Sequence, residues 1–560
     1  MSEPKEKQKD YFKDSLRPVG ESQVWLCGMA LTVGILMVVG MLGLIFWQGI
    51  KVFWPKDIMQ VVLTEDAPAE YRINGSSEFA GALVKKATKV DHSLSVKEES
   101  GEDWQFFVAN KDAYGFTYKY IDSAFIKSTK APENIVVAER YAWGHAIFFP
   151  EEIIYPDGDT ISMDTNPEAF MKRFSEDVHT SAHRWKEIRK IEVQEIGPIN
   201  AKINHINKRI EKATEAGHTK TVAELQANLA SIQEDYKVLE KKARELRDKQ
   251  TEIKLRVALA TGEERTYEMG QVIDFFQPNS MGVLAKLQHL FTHLWHFLTE
   301  NPRESNTEGG IFPAIFGTFV MTVMMSAAVM PFGVLAAIYL REYARQGAFL
   351  RAVRIAINNL AGVPSIVFGV FGLGFFVYGM GSWIDDTFFG EELVFGKGGI
   401  LWASLTLALL TVPVVIVATE EALASVTRGM REASLACGAS KWQTIQRVVL
   451  PAAAPGILTG LILAMARGAG EVAPLMLVGV VKNAVDLPFD TVAPFIHFER
   501  QFMHLGFHIY DLGFQSPDSE AARPMVFATT FLLILLVLVL NLGAIFIRNY
   551  LRRKYASGAF

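Results

Sequence analysis

A chain of 560 residues exceeds what one compact domain usually holds, and with half of it hydrophobic, at least two units of different character are expected. Its net charge of −5 is unevenly spread: charged residues crowd the N-terminal tail and the stretch 160–256, while long apolar runs organise the chain after Ile311. No Lys/Arg block is dense enough for nucleic-acid binding, and the two cysteines, Cys27 and Cys437, are too far apart in sequence to suggest a disulfide framework.

The first element in chain order is the apolar run Val24–Ile50. It is too long for the core of a signal peptide and lacks a small-residue cleavage pattern, so it reads as a retained membrane anchor over 24–50 behind a tail at 1–23. Soluble sequence then fills 51–310. Short β-branched and aromatic runs at Trp104–Val108, Tyr114–Tyr120 and His145–Phe149 predict antiparallel strands. Farther on, Ile196, Ile199, Ile203, Ile206 and Ile210 recur at alternating spacings of three and four. Leu225, Leu229, Ile232, Tyr236, Leu239, Ala243 and Leu246 repeat the pattern beyond Gly217, which predicts an antiparallel hairpin with a coiled-coil seam at about 185–256. Pro198 marks a start or kink of the first arm. Leu255–Leu259 and Thr266–Phe276 read as returning strands, so the hairpin is expected inside the β region. Without a cluster of convergent charged or metal-binding residues, 51–310 reads as a docking or spacer domain rather than a sensor or substrate-handling module.

Five further apolar runs follow, Ile311–Leu340, Ile355–Met380, Gly399–Thr419, Ala453–Val480 and Met525–Ile547, each long enough to cross a bilayer. With alternating spans, one side collects Lys5, Lys7, Lys9, Lys13 and Arg17, then Arg341, Arg345, Arg351 and Arg354, then Arg428, Arg431, Lys441 and Arg447, then Arg548, Arg552, Arg553 and Lys554. The other side's short loops hold only Lys397, Lys482 and Arg500. By the positive-inside rule both tails, including 548–560, are expected in the cytoplasm, and 51–310 in the periplasm of a bacterium.

Between the fourth and fifth spans, within 421–452, Arg431–Ser440 precedes Lys441–Val449 and Leu450-Pro451. These residues favour a short helix, a turn at Gly438, a second short helix, and a Pro in the first turn of the next span. Their spacing resembles the cytoplasmic loop of permeases of ATP-driven (ABC) importers, Glu-Ala-Ala, three residues, Gly, nine residues, Ile, one residue, Leu-Pro. Glu432, Ala433, Gly438, Leu450 and Pro451 match in register, with Ser434 and Val448 as conservative departures. The resemblance implies a coupling helix seated on a separate ATP-hydrolysing subunit. No Gly-x4-Gly-Lys-Ser/Thr phosphate loop occurs here, so the chain is expected to be a transport subunit, not an enzyme, with no cofactor of its own.

Two stretches sharpen the resemblance to phosphate permeases of the PstA type: Asn358–Leu373, and the segment from Arg431 through Pro455–Gly460 to Arg467-Gly468-Ala469-Gly470-Glu471-Val472-Ala473-Pro474. It covers roughly 311–550, with 311–547 as a five-helix core, and leaves the long insertion outside. The implied fold is an all-α membrane protein of six transmembrane helices resembling type I importer permeases, with a β-plus-coiled-coil extracytoplasmic insertion. The implied partners are a homologous second permease, two copies of a cytoplasmic ATP-binding subunit and a periplasmic phosphate-binding protein, with phosphate as the solute and lipid around the spans.

Gly362 and Pro364, near the inner end of the third span, are expected to permit a bend, and Gly369, Gly372 and Gly374 close helix contacts. Arg467 and Glu471 fall in the middle of an apolar run, where an ionised side chain needs a partner, and their i, i+4 spacing lets them pair. Such a pair either ties helices together or lines an anion pathway. His497, His504 and His508 suggest an interfacial amphipathic helix better than a metal site. Two rival functions remain: the same machine carrying molybdate or sulfate, and a coiled-coil membrane sensor, for which the short tails provide no output domain.

Overall fold

The computed structural model of the chain describes residues 22–90, 99–215, 217–303, 306–345, 347–389, 393–484, 486–490, 495–516 and 519–556. The tail expected over 1–23 lies outside these except for its last two residues, as do Ala216 at the hairpin tip and residues 557–560 of the C-terminal tail. Helix α1 (Ser22–Lys51) is the first span; it is apolar on every face and packs chiefly against the last span, where Phe46 meets Phe531 at 5.1 Å.

The insertion is built on two antiparallel sheets. Strands β1 (Ile58–Leu63), β2 (Glu78–Val90), β3 (Glu99–Phe107), β4 (Tyr118–Asp122) and β5 (Ile126–Lys130) lie in the order β4-β3-β2-β1-β5. The second sheet combines β6 (Val136–Arg140), β7 (His145–Ile154), β8 (Thr160–Ser162), β9 (Lys254–Ala258), β10 (Glu264–Glu268) and β11 (Val272–Phe276). Its order is β10-β9-β7-β6-β11, with β8 on β7. Alternate residues point inward from both sheets, and Phe79, Phe106, Ile121, Phe148 and Val257 fill one apolar core. Two expected strands are corrected. Tyr114 ends a one-turn helix that Gly115 closes at φ +78, so the strand starts at Tyr118. Residues 266–276 form two strands, parted by a turn where Gly270 presses against the backbone of Gln250, leaving no room for a Cβ.

Between β8 and β9 the chain leaves the sheet as helices. Helix α2 (Pro167–Arg189) begins well before the expected start near 185, because the Asn166 side chain caps it and Phe170, Phe174 and Val178 pack into the sheet core. It continues through a wide turn into α3 (Gly197–Glu215), and α4 (Thr219–Thr251) returns. The positions spaced three and four apart, such as Ile206, Leu225 and Ala243, are the buried ones, so the arms meet along the seam legible in the sequence. Because β9 pairs with both β7 and β10, the hairpin is an excursion from a sheet.

Helix α5 (Val283–Thr299), which no sequence expectation covered, leads to β12 (Pro302–Arg303) and β13 (Glu308–Gly309) and so to the membrane body. This small hairpin is clamped to the insertion by Arg303 with Glu139, and by Glu308 with His145 at 2.9 Å. Burial disfavours the charged imidazole, yet the Glu308 carboxylate outweighs it and holds His145 up to about 9; Glu308, despite its own burial, is held below the usual carboxylate range. On the other flank, Asn306 donates to the Lys482 carbonyl, and Lys482 pairs with buried Asp511 at 3.1 Å. The clamp therefore joins insertion and body through charged contacts.

Among the described residues, the body holds five more apolar helices long enough to cross a membrane, making six with α1. Helix α6 (Phe312–Ile338) is the second span. The amphipathic helix α7 (Ala348–Leu360) precedes the third, which is α8 (Ser365–Phe371), continuing in wide turns to Phe389. Helix α9 (Ile400–Ser425) is the fourth and most buried span. Short helices α10 (Arg428–Ala436) and α11 (Lys441–Thr444) lead to α12 (Leu450–Gly470), and α13 (Ala473–Val478) follows it. Helix α14 (Leu505–Tyr510) precedes the last span, α15 (Ser519–Ala556). Glycines set the spacing: a Cβ on Gly456 or Gly460 would fall 2.5 Å from Ala422 or Ala418, which aligns α12 antiparallel to α9.

Candidate functional site

The site begins with two breaks between helices, one at the start of the third span and one in the fifth. Helix α7 stops at Leu360, Gly362 and Val363 close turn hydrogen bonds to Asn359 and Leu360, and Pro364 precedes α8, since a residue before Pro is pushed out of the helical region. The expected bend is thus a complete break. It lies where the third span begins, and Arg354 of α7 pairs with Glu420, near the end of α9, at 3.2 Å. Leu360 and Val363 pack with Met325, Leu407 and Leu410 in the body's core.

Helix α12 breaks likewise at Glu471, whose backbone is extended. Gly468 abuts Met325 and Thr411. Thr411 lies 11 residues from one end of α9 and 14 from the other, about 17 and 21 Å at 1.5 Å per residue, so this break sits near the middle of the body. The helices that follow the two breaks then meet, because Gly369 of α8 would place a Cβ 2.7 Å from the Cα of Pro474 in α13. Gly372 likewise fits against Thr406, whereas Gly374 meets nothing within 4 Å and makes no close contact within the chain.

Arg467 and Glu471 occupy this second break. Their depth agrees with the sequence, but the uninterrupted helix expected between them does not exist, since α12 ends at Gly470. Arg467 Nε lies 3.7 Å from Glu471 Oε1, an ion pair too long for a hydrogen bond, and both side chains stay partly exposed. The guanidinium is offset in charge without being enclosed.

The segment between α9 and α12, expected to be a coupling loop, lies at the opposite end of α9 from the insertion. Gly438 turns between α10 and α11 at φ +85, a left-handed conformation that strains any residue with a Cβ. Ser440 and Gln443 form a capping box that starts α11. Glu432, Ala433, Met430, Leu435 and Trp442 face outward, while Leu450 and Pro451 begin α12. What holds the segment was missed by sequence reasoning: Arg431 reaches Glu342 at 3.1 Å and the Leu423 carbonyl at 2.6 Å, and Lys441 donates to the Glu342 carbonyl. A signal existed in Glu342 following Arg341 at the end of an apolar run, but nothing local named its partner.

The three histidines are buried, which corrects the interfacial expectation. His497 sits between Asp490 and Glu499 at 3.2 Å each, His504 accepts the Gly506 N–H at the start of α14, and His508 lies within α14. Among the described residues no group of three or more His, Cys, Asp or Glu is placed to hold a metal.

These features have counterparts among known proteins. Residues 329–557 match the family described as the binding-protein-dependent transport system inner membrane component. The probable ABC transporter permease YqgI of Bacillus subtilis is 32% identical over 270 residues, which cover 47% of this chain and 86% of YqgI. The chain belongs to this permease family. The phosphate transport system permease PstA of Mycobacterium leprae is 36% identical over 252 residues, 45% of this chain and 74% of PstA. PstA 1 of Mycobacterium tuberculosis is 34% identical over 246 residues, 44% of this chain and 73% of its own length. The resemblance to PstA-type permeases thus holds for this permease, a multi-pass inner-membrane subunit of an ABC importer, while 51–310 falls outside the family match.

Proposed function

We propose that this permease imports inorganic phosphate, with both tails in the cytoplasm and the insertion in the periplasm. The observation that carries the proposal is Arg467, a partly exposed guanidinium at a mid-depth break in the fifth span, next to the start of the third. Broken helices leave backbone groups open only where they line a cavity or meet protein, and midplane sites in transporters are built there. Phosphate must shed water to cross; a planar guanidinium can offer it two parallel hydrogen bonds, and Glu471 lowers the net charge so that the anion is released. The PstA relatives support phosphate over another oxyanion.

A homologous second permease would close the pathway, two ATP-binding subunits would seat on Glu432, Ala433 and the Gly438 turn, and a periplasmic phosphate-binding protein would deliver the anion. Closure of the ATPases would push the coupling segment, whose contacts with Glu342 pass the motion to the second span. ATP-driven uptake of labelled phosphate by the reconstituted transporter, with sulfate and molybdate as competitors, tests the substrate: competition by either anion at phosphate-like concentrations overturns the choice. Orientation is tested in intact cells, where an impermeant thiol reagent should label Lys220→Cys and spare Cys437; the reverse pattern inverts the topology.

A further inference from the structure

Helix α5 exposes an apolar stripe while turning polar side chains toward the protein. In a helix on a water-soluble domain, apolar residues face the protein and charges face solvent. Here Lys286 pairs with Asp57, His293 faces Asp274 at 3.5 Å, and His289 packs on Phe276 at 4.2 Å, so these polar side chains point into the protein, beside buried Leu290 and Phe297. The opposite stripe, Leu284, Leu287, Phe291 and Trp295, repeats at spacings of three and four and carries no charge. Leu284, Phe291 and Trp295 are 82%, 66% and 65% exposed. A contiguous stripe of this kind on a domain otherwise well packed marks a surface that something apolar covers.

The neighbours of α5 say what covers it. At its C-terminal end Phe297 packs on Phe53, just past the first span, at 5.1 Å, and on Ile311, Ala314, Ala528 and Leu532 at the ends of the second and last spans. The helix therefore ends at the rim of the membrane body, where α1 also presents an exposed apolar surface that includes Trp47. A tryptophan at the rim and an uncharged apolar stripe suit the boundary between headgroups and acyl chains, where Trp is favoured.

We propose that α5 is an interfacial helix whose Leu284–Leu287–Phe291–Trp295 stripe is seated in the outer leaflet, outside the six spans, fixing the insertion's tilt over the membrane. The proposal shares with the proposed function only the placement of the insertion, so its test works on the assembled transporter whatever the solute. In a Cys27→Ser, Cys437→Ser background, spin labels at Phe291→Cys and Leu284→Cys are compared in lipid nanodiscs with Val38→Cys in the first span and Lys241→Cys on the helical hairpin. Collision with dissolved oxygen should be high and with a water-soluble nickel chelate low at Phe291 and Leu284, as at Val38. Nickel access matching Lys241 overturns the proposal by showing the stripe in water; shielding from both reagents overturns it too, by showing a protein partner on the stripe.

Discussion

The insertion and the membrane body are held together by different means. In the insertion, large side chains such as Phe106 and Phe148 fill a two-sheet core, and a buried charge such as Arg140 is paired, with Asp112 at 2.7 Å. In the body the apolar effect cannot drive helix against helix, because lipid is as apolar as leucine; close backbone approach at Gly317, Gly369, Gly456 and Gly460 does the packing. Removing bulk should therefore injure the insertion, and adding bulk should injure the body.

The largest expected effects test that contrast directly. Phe106→Ala should cost roughly 3–5 kcal/mol through the cavity it leaves, read as early thermal unfolding of the insertion, with the body still assembling. Gly369→Leu should cost roughly 3 kcal/mol or more, because the neighbour is the Pro474 backbone, which cannot step aside. Its readout is the yield of assembled complex in size-exclusion chromatography. If Gly369→Leu assembles normally, the third and fifth spans do not depend on their close contact.

Next in size is the ion pair at the fifth-span break. Arg467→Gln should assemble and lose most phosphate uptake, on the order of 10–100-fold for about 1.4–2.8 kcal/mol of lost anion stabilisation. Glu471→Gln should be milder. The informative variant replaces both: if the pair only ties the break together, an apolar double replacement restores assembly and transport, and if Arg467 meets the anion, the complex assembles without transporting. Uptake by the double variant at wild-type rates would assign the pair to scaffolding.

Much of this was legible in the sequence, for reasons of period and composition. Six apolar runs announce themselves because nothing else keeps some twenty residues nearly free of charge. The seam of the helical hairpin was readable because its spacing is local. What escaped was of two kinds. Helix α5 was missed because its apolar stripe faces away from the protein, so its pattern did not mark a core face. Contacts between distant residues, such as Arg431 with Glu342 or Arg354 with Glu420, have no local signature, and an apolar run does not reveal where a helix inside it is interrupted. Pro364 gave warning of the break where the third span starts; Glu471 gave a charge without a turn residue.

A smaller effect belongs to the coupling segment. Gly438→Ala forces a Cβ into the left-handed region at a cost of roughly 1–2 kcal/mol, with open space around it and hence no clash to confuse the result. Gly438→Pro is harsher, since Pro cannot reach φ +85 and loses the N–H that donates to the Leu435 carbonyl. Both should leave the spans folded while weakening recovery of the ATP-binding subunit in pull-down, Pro more than Ala. Full recovery with the Pro variant would remove the segment from the ATPase interface.

The smallest expected effect is also the one that joins the two regions. His145 titrates well above an ordinary histidine because of Glu308, so its contribution is fully present below about pH 6.5 and is lost as pH rises through about 9. Glu308, held below the usual carboxylate range, contributes above that range and loses its contribution as pH falls through its lowered value. Between these limits the pair is charged on both sides and the β12–β13 hairpin is pinned to the insertion. Tryptic cleavage after Arg303, normalised to a peptide cleaved at the same pH, should therefore accelerate as pH rises from 7 to 10. His145→Gln keeps a donor but removes the titrating charge; it should cost roughly 1 kcal/mol and flatten that rise. A cleavage profile in His145→Gln that still climbs through pH 9 would mean that the clamp's stability comes from Arg303 and Glu139, and that the His145 charge adds nothing to the joint between insertion and membrane body.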